Sequence, residues 1–86
     1  DTLTRIWAQD LGHRNITVNG VAPGTTATDM LRAGLPKEME EYMIQKTALK
    51  RLGEADDIAA VVAFLASEDG RWVNGQTLRA DGGLAL

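Results

Sequence analysis

Apolar residues recur at helical spacing from the first positions of the chain. Leu3, Ile6, Trp7 and Leu11 form one stripe, with Thr4, Arg5, Gln9 and Asp10 on other faces. The spacing predicts a helix capped by Gly12, with His13 and Arg14 placing positive charge where its carbonyls point. The stripe starts almost without an entry signal, Asp1 being the one available N-cap, which is the expected look of a chain that continues upstream. Ile16 to Ala22 reads as a short buried strand stopped by Pro23-Gly24. A polar stretch follows, then a helical turn from Met30 to Ala33 ended by Gly34. Pro36 opens a helix to about Thr47 whose apolar face is Met39, Tyr42 and Met43. The strongest helix runs over 55–68, with Asp56 and Asp57 at its positive end and Ile58, Val61, Val62 and Leu65 on one face. Its alanines, Ala55, Ala59, Ala60, Ala63 and Ala66, allow close packing on a sheet. A second strand over 76–80 is closed by Asp81-Gly82-Gly83.

The order is helix, strand, helices, strand. Two strands joined through a helix of this length are predicted to be parallel, with a right-handed crossover. Parallel strands are covered on both faces, so the expected fold class is α/β, one edge of a larger doubly wound parallel sheet.

Composition narrows the function without naming it. The chain has 86 residues, a net charge of −3 and a hydrophobic share of 44%, so it reads as part of one globular domain and not as a disordered segment. Mild acidity, with Lys50-Arg51 as the densest basic pair, argues against nucleic acid as a partner. The absence of cysteine excludes disulfides, thiolate nucleophiles and cysteine-ligated metals, and a single histidine leaves no expected metal site. No apolar run reaches the roughly 18 residues of a membrane span, and the N-terminal residues resemble no signal or transit peptide. The expected location is the cytoplasm.

At Asn15-Ile16-Thr17-Val18-Asn19-Gly20-Val21-Ala22-Pro23-Gly24 the residues become recognisable. With Thr28-Asp29-Met30, then Leu52-Gly53-Glu54-Ala55-Asp56-Asp57-Ile58-Ala59, Phe64-Leu65-Ala66-Ser67, Asn74-Gly75-Gln76 and Asp81-Gly82-Gly83, the ordered set resembles the late part of the short-chain dehydrogenase/reductase family. The resemblance covers essentially the whole chain. It implies that residues 1–86 are the C-terminal segment of a single NAD(P)-binding Rossmann-type domain whose N-terminal dinucleotide-binding half is absent here. The family's glycine-rich phosphate turn has no counterpart in this sequence. Its catalytic serine, tyrosine and lysine would lie upstream of Asp1, so no catalytic residue is assigned within the chain, and the 86 residues alone are expected to be inactive.

The resemblance also implies roles for what is present. In similar proteins the loop after this strand holds the nicotinamide carboxamide of NAD or NADP, which makes Pro23, Gly24, Thr25, Thr26 and Thr28 the candidate cofactor-binding residues. Backbone groups supply the contacts near Pro23-Gly24, and the Thr28 hydroxyl reaches the carboxamide or the adjacent phosphate. The family often carries Ile or Val where Thr26 stands, so packing of that side chain on the ring is not expected. The competing structural reading is a strand-ending turn with Thr28 as a helix N-cap. Met30, Leu31, Met39 and Met43 would line a substrate lid. Tyr42 and Lys46 fit the family's Tyr-x-x-x-Lys pattern in letters only: they follow the Pro-Gly loop, and Asp29 stands where the partner serine would be. His13 reads as a loop residue beside a helix end, and Trp7 and Trp72 as packing or interface anchors.

The reading is therefore a segment of an NAD(P)-dependent oxidoreductase that moves hydride between nicotinamide and a small-molecule carbonyl or alcohol. It would contribute the nicotinamide-side loop, the substrate lid and a subunit interface. The expected assembly is a homo-oligomer, dimer or tetramer, formed through the 55–68 helix and the 76–80 strand. The alternative is a non-catalytic fragment acting as an oligomerisation or interaction module.

Overall fold

The computed structural model describes residues 1–84. Their elements are α1 (Thr2–Leu11), β1 (Gly20–Pro23), α2 (Ala27–Ala33), α3 (Lys37–Lys46), α4 (Ala55–Ala66) and β2 (Thr77–Ala80), with short 3-10 turns at Gly12–Arg14 and Glu68–Gly70. The strands pair in parallel, from Gly20 opposite Thr77 to Pro23 opposite Ala80, as the long helical connection predicts. α4 packs on both strands. Ile58, Val61 and Leu65 of its apolar face are half-buried, whereas Val62, expected on the same face, is exposed.

The first strand is shorter than its β-branched run suggests. Pairing begins at Gly20, where the backbone N–H donates to the Gln76 carbonyl at 2.8 Å. Before it, the Gly75 N–H still donates to the Val18 carbonyl at 2.9 Å, and two asparagines supply the other bonds. The Val18 N–H donates to Asn74 Oδ1 at 2.9 Å, and the Asn19 amide donates to the Val73 carbonyl at 2.9 Å while its Oδ1 accepts the Gln76 N–H at 3.0 Å. Side-chain amides thus satisfy the backbone groups that strand neighbours would otherwise take, and β2 likewise starts one residue later than expected.

Gly12 does not cap α1 in the left-handed conformation. It stays right-handed (φ −59°), the helix tightens into a 3-10 turn, and Asn15 takes the left-handed position at φ 58°, its N–H donating to the Gly12 carbonyl at 2.9 Å. Asparagine tolerates that conformation better than most side chains. Gly34 does end α2 at φ 62°, as expected. The stripe of α1 is also turned differently from expectation. Leu3, Ile6 and Trp7 are exposed, and the residue that packs inward is Ala8, against the backbone of Gly75.

Among the described residues only Ala8 and Met30 are buried apolar side chains, and neither is completely enclosed. The radius of gyration is 15.4 Å and the extents are 49 × 24 × 24 Å. A compact domain of this length has a radius of about 12 Å. α2 and α3 pack only marginally on the other elements. No helix among the described residues is long and apolar enough to cross a membrane.

One tie brings the end of α3 back to the sheet. Thr47 is buried, and its hydroxyl donates to the Met43 carbonyl at 2.8 Å. The next two amides, of Ala48 and Leu49, donate to the carbonyls of Gly83 and Gly82 at 3.0 Å each, and Thr47 forms an antiparallel bridge with Leu84.

Candidate functional site

A cleft of about 180 Å³ opens at the carboxyl ends of the two strands, lined by Gly24, Thr25 and Thr26 on one side and by Ala80, Asp81 and Gly82 on the other. Gly24 makes this approach feasible. Its N–H donates to the Ala80 carbonyl at 3.2 Å, and a Cβ at this position would lie 2.7 Å from Asp81 Cβ and 2.8 Å from Asp81 Cα. Crevices at strand carboxyl ends are where open α/β sheets bind ligands.

Three of the expected cofactor-binding residues therefore line one cleft. Pro23 is the exposed last residue of β1 and Thr28 sits exposed in the first turn of α2, both just outside it. The N-cap of α2 is Thr26 and not Thr28. The Thr26 hydroxyl accepts the Asp29 N–H at 3.1 Å, and the side chain is buried for that task. The pattern Thr26-x-x-Asp29 carried this signal, since a cap bonds the amide three residues on. The turn that the sequence places around Thr28 is thus real but begins two residues earlier, which leaves the Thr28 hydroxyl free of a capping bond.

The loop's backbone is held at two places. Beyond the Gly24 bond, Gly53 donates its N–H to the Thr25 carbonyl at 2.9 Å and accepts the Ala27 N–H at 2.8 Å, a reciprocal pair centred on Thr26. Among the described residues, the N–H groups of Thr25, Thr26 and Thr28, the Gly24 carbonyl and the Thr28 hydroxyl have no partner. A primary carboxamide offers two N–H donors and one acceptor oxygen, so this set of free donors and acceptors fits it.

Charge at the cleft is compensated. Arg51 meets Asp57 through two contacts, Nη1 to Oδ2 at 2.7 Å and Nη2 to Oδ1 at 3.1 Å. The Arg51 hydrogen bond, followed by the Glu54 N–H, holds the Asp57 carboxyl down at about 2, and the same bond raises the Arg51 guanidinium above its usual value. Asp81 is lowered mainly by the Gly83 N–H, at 3.0 Å, and also by Arg79, at 2.7 Å. None of these groups is poised to exchange a proton near neutrality. Arg51, Gly53 and Asp57 also shape the site and leave little mark in the sequence, because Gly53 bonds main-chain groups of Thr25 and Ala27 while Arg51 and Asp57 act partly on main-chain atoms of Leu52 and Glu54.

The four expected lid residues do not share one surface. Met30 is 7% exposed and packs inward beneath α2, whereas its neighbour Leu31 is 83% exposed, as adjacent helical positions dictate. Met39 is exposed, Met43 is half-buried, and none of the four lines the cleft. Lys46 lies over the Tyr42 ring at 5.5 Å on the surface of α3, a cation–π contact on an amphipathic helix. His13 stands exposed in the 3-10 turn after α1, and Trp72 is 95% exposed.

Residues 1–85 match the family model described as enoyl-(acyl carrier protein) reductase. The 7alpha-hydroxysteroid dehydrogenase of Escherichia coli is 47% identical over 81 residues, which are 94% of this chain and 32% of that protein. The crystal structure of 3-oxoacyl-(acyl-carrier protein) reductase from Brucella melitensis matches with a TM-score of 0.92 at 36% identity, over 99% of this chain and 31% of that one. The angucycline C-6 ketoreductase LanV, solved with bound NADP, matches with a TM-score of 0.86 at 40% identity, over 98% of this chain and 32% of that one. The chain spans about a third of the length of the relatives it matches.

Proposed function

Since the chain belongs to the short-chain dehydrogenase/reductase family, we propose that it is the C-terminal segment of a Rossmann-type domain and forms the nicotinamide side of an NAD(P)-dependent oxidoreductase. The relatives' names, a hydroxysteroid dehydrogenase and two carbonyl reductases, support a small-molecule carbonyl or alcohol as substrate. The observation that carries the reading is the Gly24–Thr28 loop, which presents unpartnered N–H groups, a carbonyl and a hydroxyl beside the strand-end cleft.

When bound, NAD or NADP supplies the hydride chemistry. The residues of this chain hold and orient. Thr25, Thr26 and Thr28 offer N–H donors and Gly24 an acceptor for the carboxamide, with the Thr28 hydroxyl reaching the same group or the adjoining phosphate. The Thr26 hydroxyl is committed to the helix cap and is not offered to the carboxamide. Pro23 fixes the exit of the strand. Of the lid residues, Leu31 and Met39 are solvent-exposed, Met43 is half-buried, and Met30 anchors the lid from below. The serine, tyrosine and lysine of the family belong to the upstream part, so the 86 residues alone turn over no ketone with NADH or NADPH.

In the full-length protein carrying this chain, Thr28→Ala removes one hydrogen bond at the nicotinamide. It is expected to cost about 1–2 kcal/mol of transition-state stabilisation in kcat/KM, with thermal stability unchanged. Unchanged kinetics for Thr28→Ala would sink the cofactor reading of the loop.

A second reading, a module for self-association, is favoured by the elongated shape and by exposed Trp7, Val62, Phe64 and Trp72. In this reading a homo-oligomer forms through the 55–68 helix and the 76–80 strand. The two readings are compatible, since a subunit interface and a cofactor loop occupy different parts of the segment.

A further inference from the structure

Among the described residues outside α2 itself, Gly53 is the one that holds the middle of the Gly24–Thr28 loop, through one donor and one acceptor. Glycine has no side chain with which to fix its own position, so its neighbours must do so. On one side, the Leu52 carbonyl accepts from Arg51 Nη1 at 3.1 Å. On the other, the Glu54 N–H donates to Asp57 Oδ2 at 2.8 Å. The two side chains that grip these flanking peptides are themselves joined, Nη1 to Oδ2 at 2.7 Å and Nη2 to Oδ1 at 3.1 Å. The guanidinium and the carboxylate thus close a ring around Gly53, and both also line the cleft.

We infer that the Arg51–Asp57 pair is a backbone staple that positions the nicotinamide loop by immobilising Gly53. The inference rests on the cofactor reading of that loop. Arg51 and Asp57 are positioning residues and touch no reacting atom. A planar fork with several N–H groups is needed, because one guanidinium must serve two carboxylate oxygens and a backbone carbonyl together; an ammonium is a point donor and holds fewer of them. Exposure of the pair is compatible with this role, since the work is geometric and lies in the backbone ties more than in the charge attraction.

The test uses the full-length protein carrying this chain and compares two ligands, NADPH or NADH and the nicotinamide-free fragment ADP-ribose. Arg51→Met is expected to raise the KM for the complete cofactor on the order of tenfold, while ADP-ribose inhibition stays within about twofold. Hydrogen exchange at the Ala27 and Gly53 amides is expected to quicken. Arg51→Lys falls between wild type and Arg51→Met and, with Asp57→Asn, carries the test if Arg51→Met does not fold. The swap of Arg51→Asp with Asp57→Arg rebuilds an ion pair without either backbone tie, and is expected to stay as impaired as Arg51→Met. The staple is overturned if cofactor KM is unchanged, if ADP-ribose weakens equally, or if the swap restores wild-type behaviour. Should Thr28→Ala weaken the complete cofactor while Arg51→Met does not, the staple fails alone. If neither variant distinguishes the two ligands, the reading of the loop fails with it.

Discussion

Replacing Gly24 by alanine forces a methyl group into the closest backbone approach at the cleft. The new Cβ would stand 2.7 Å from Asp81 Cβ, 2.8 Å from Asp81 Cα and 3.1 Å from the Asp81 carbonyl oxygen. Two of these atoms are backbone, so no side-chain rotation relieves the clash and the strand ends must separate. Overpacking of this kind costs about 1–3 kcal/mol, and losing the Gly24 bond to the Ala80 carbonyl adds about 1 kcal/mol. The expected loss is about 2–4 kcal/mol. Gly53 is the matched control in the same site. A Cβ there meets its nearest neighbours, the Thr25 carbonyl oxygen and Thr26 Cγ2, at 3.6 Å, ordinary contact distance. Gly53→Ala is therefore expected to lie within about 1 kcal/mol of wild type, since a compatible Gly→Ala change also narrows the unfolded ensemble. Urea unfolding of both variants in the full-length protein, followed by tryptophan fluorescence, measures the difference. Equal stability for the two would refute the close-approach argument, and a tolerated Gly24→Ala would mean that the strand ends are looser than described.

Thr26→Ala removes the cap of α2 and is expected to cost about 0.5–2 kcal/mol, whereas Thr28→Ala leaves stability unchanged; thermal melts of the two variants separate the roles. Asp57 titrates lower in the folded state, near 2, than its ordinary 3.8, so its contribution is complete above about pH 4 and fades as pH falls through 2. The stability gap between wild type and Asp57→Asn should be constant from pH 5 to 7 and close between about pH 4 and 2; a gap that widens on acidification contradicts the sign. The isolated 86-residue chain is expected to sediment as dimers or larger species at micromolar concentration, or to lack fixed aromatic packing by near-UV circular dichroism. A compact monomer with cooperative melting would overturn that expectation.

Periodicity and turn residues were enough to locate α1, α3, α4 and both strands, and α2 as a turn over Met30–Ala33, because Leu, Val and Ile spacing and the Pro-Gly and Gly-Gly breaks are local signals; the two 3-10 turns left no such signal. What they could not show was the exchange of a strand's first pairings for side-chain amides. Ile16-Thr17-Val18 looks like strand on propensity, yet the Val18 N–H, the Val73 carbonyl and the Gln76 N–H are satisfied by asparagine side chains 54 to 57 positions away. The same limit applies to α1, where the burial of Ala8 in place of Trp7 depends on where Gly75 lies. At the site, the Pro23–Thr28 loop was legible from its motif. The division of labour between Thr26 and Thr28 leaves only the Thr26-x-x-Asp29 spacing as its mark in the sequence, because both threonines precede a helical pattern. The ring of Arg51 and Asp57 was hidden for a different reason: half of its contacts are to main-chain atoms, which leave no mark on residue identity.

The pairing of Thr47–Leu49 with Gly82–Leu84 makes a mechanical linkage out of two stretches remote in sequence. α3 has little other anchorage, so its C-terminal end is tied to the chain just past β2 through these bonds. That stretch is continuous with Asp81, which lines the cleft. A force, a fusion or a neighbouring subunit acting on the backbone after Leu84 would thus be transmitted in two directions: outward along α3, and inward to the floor of the crevice. Cutting the chain before Gly82 would release the end of α3 without touching any residue of it.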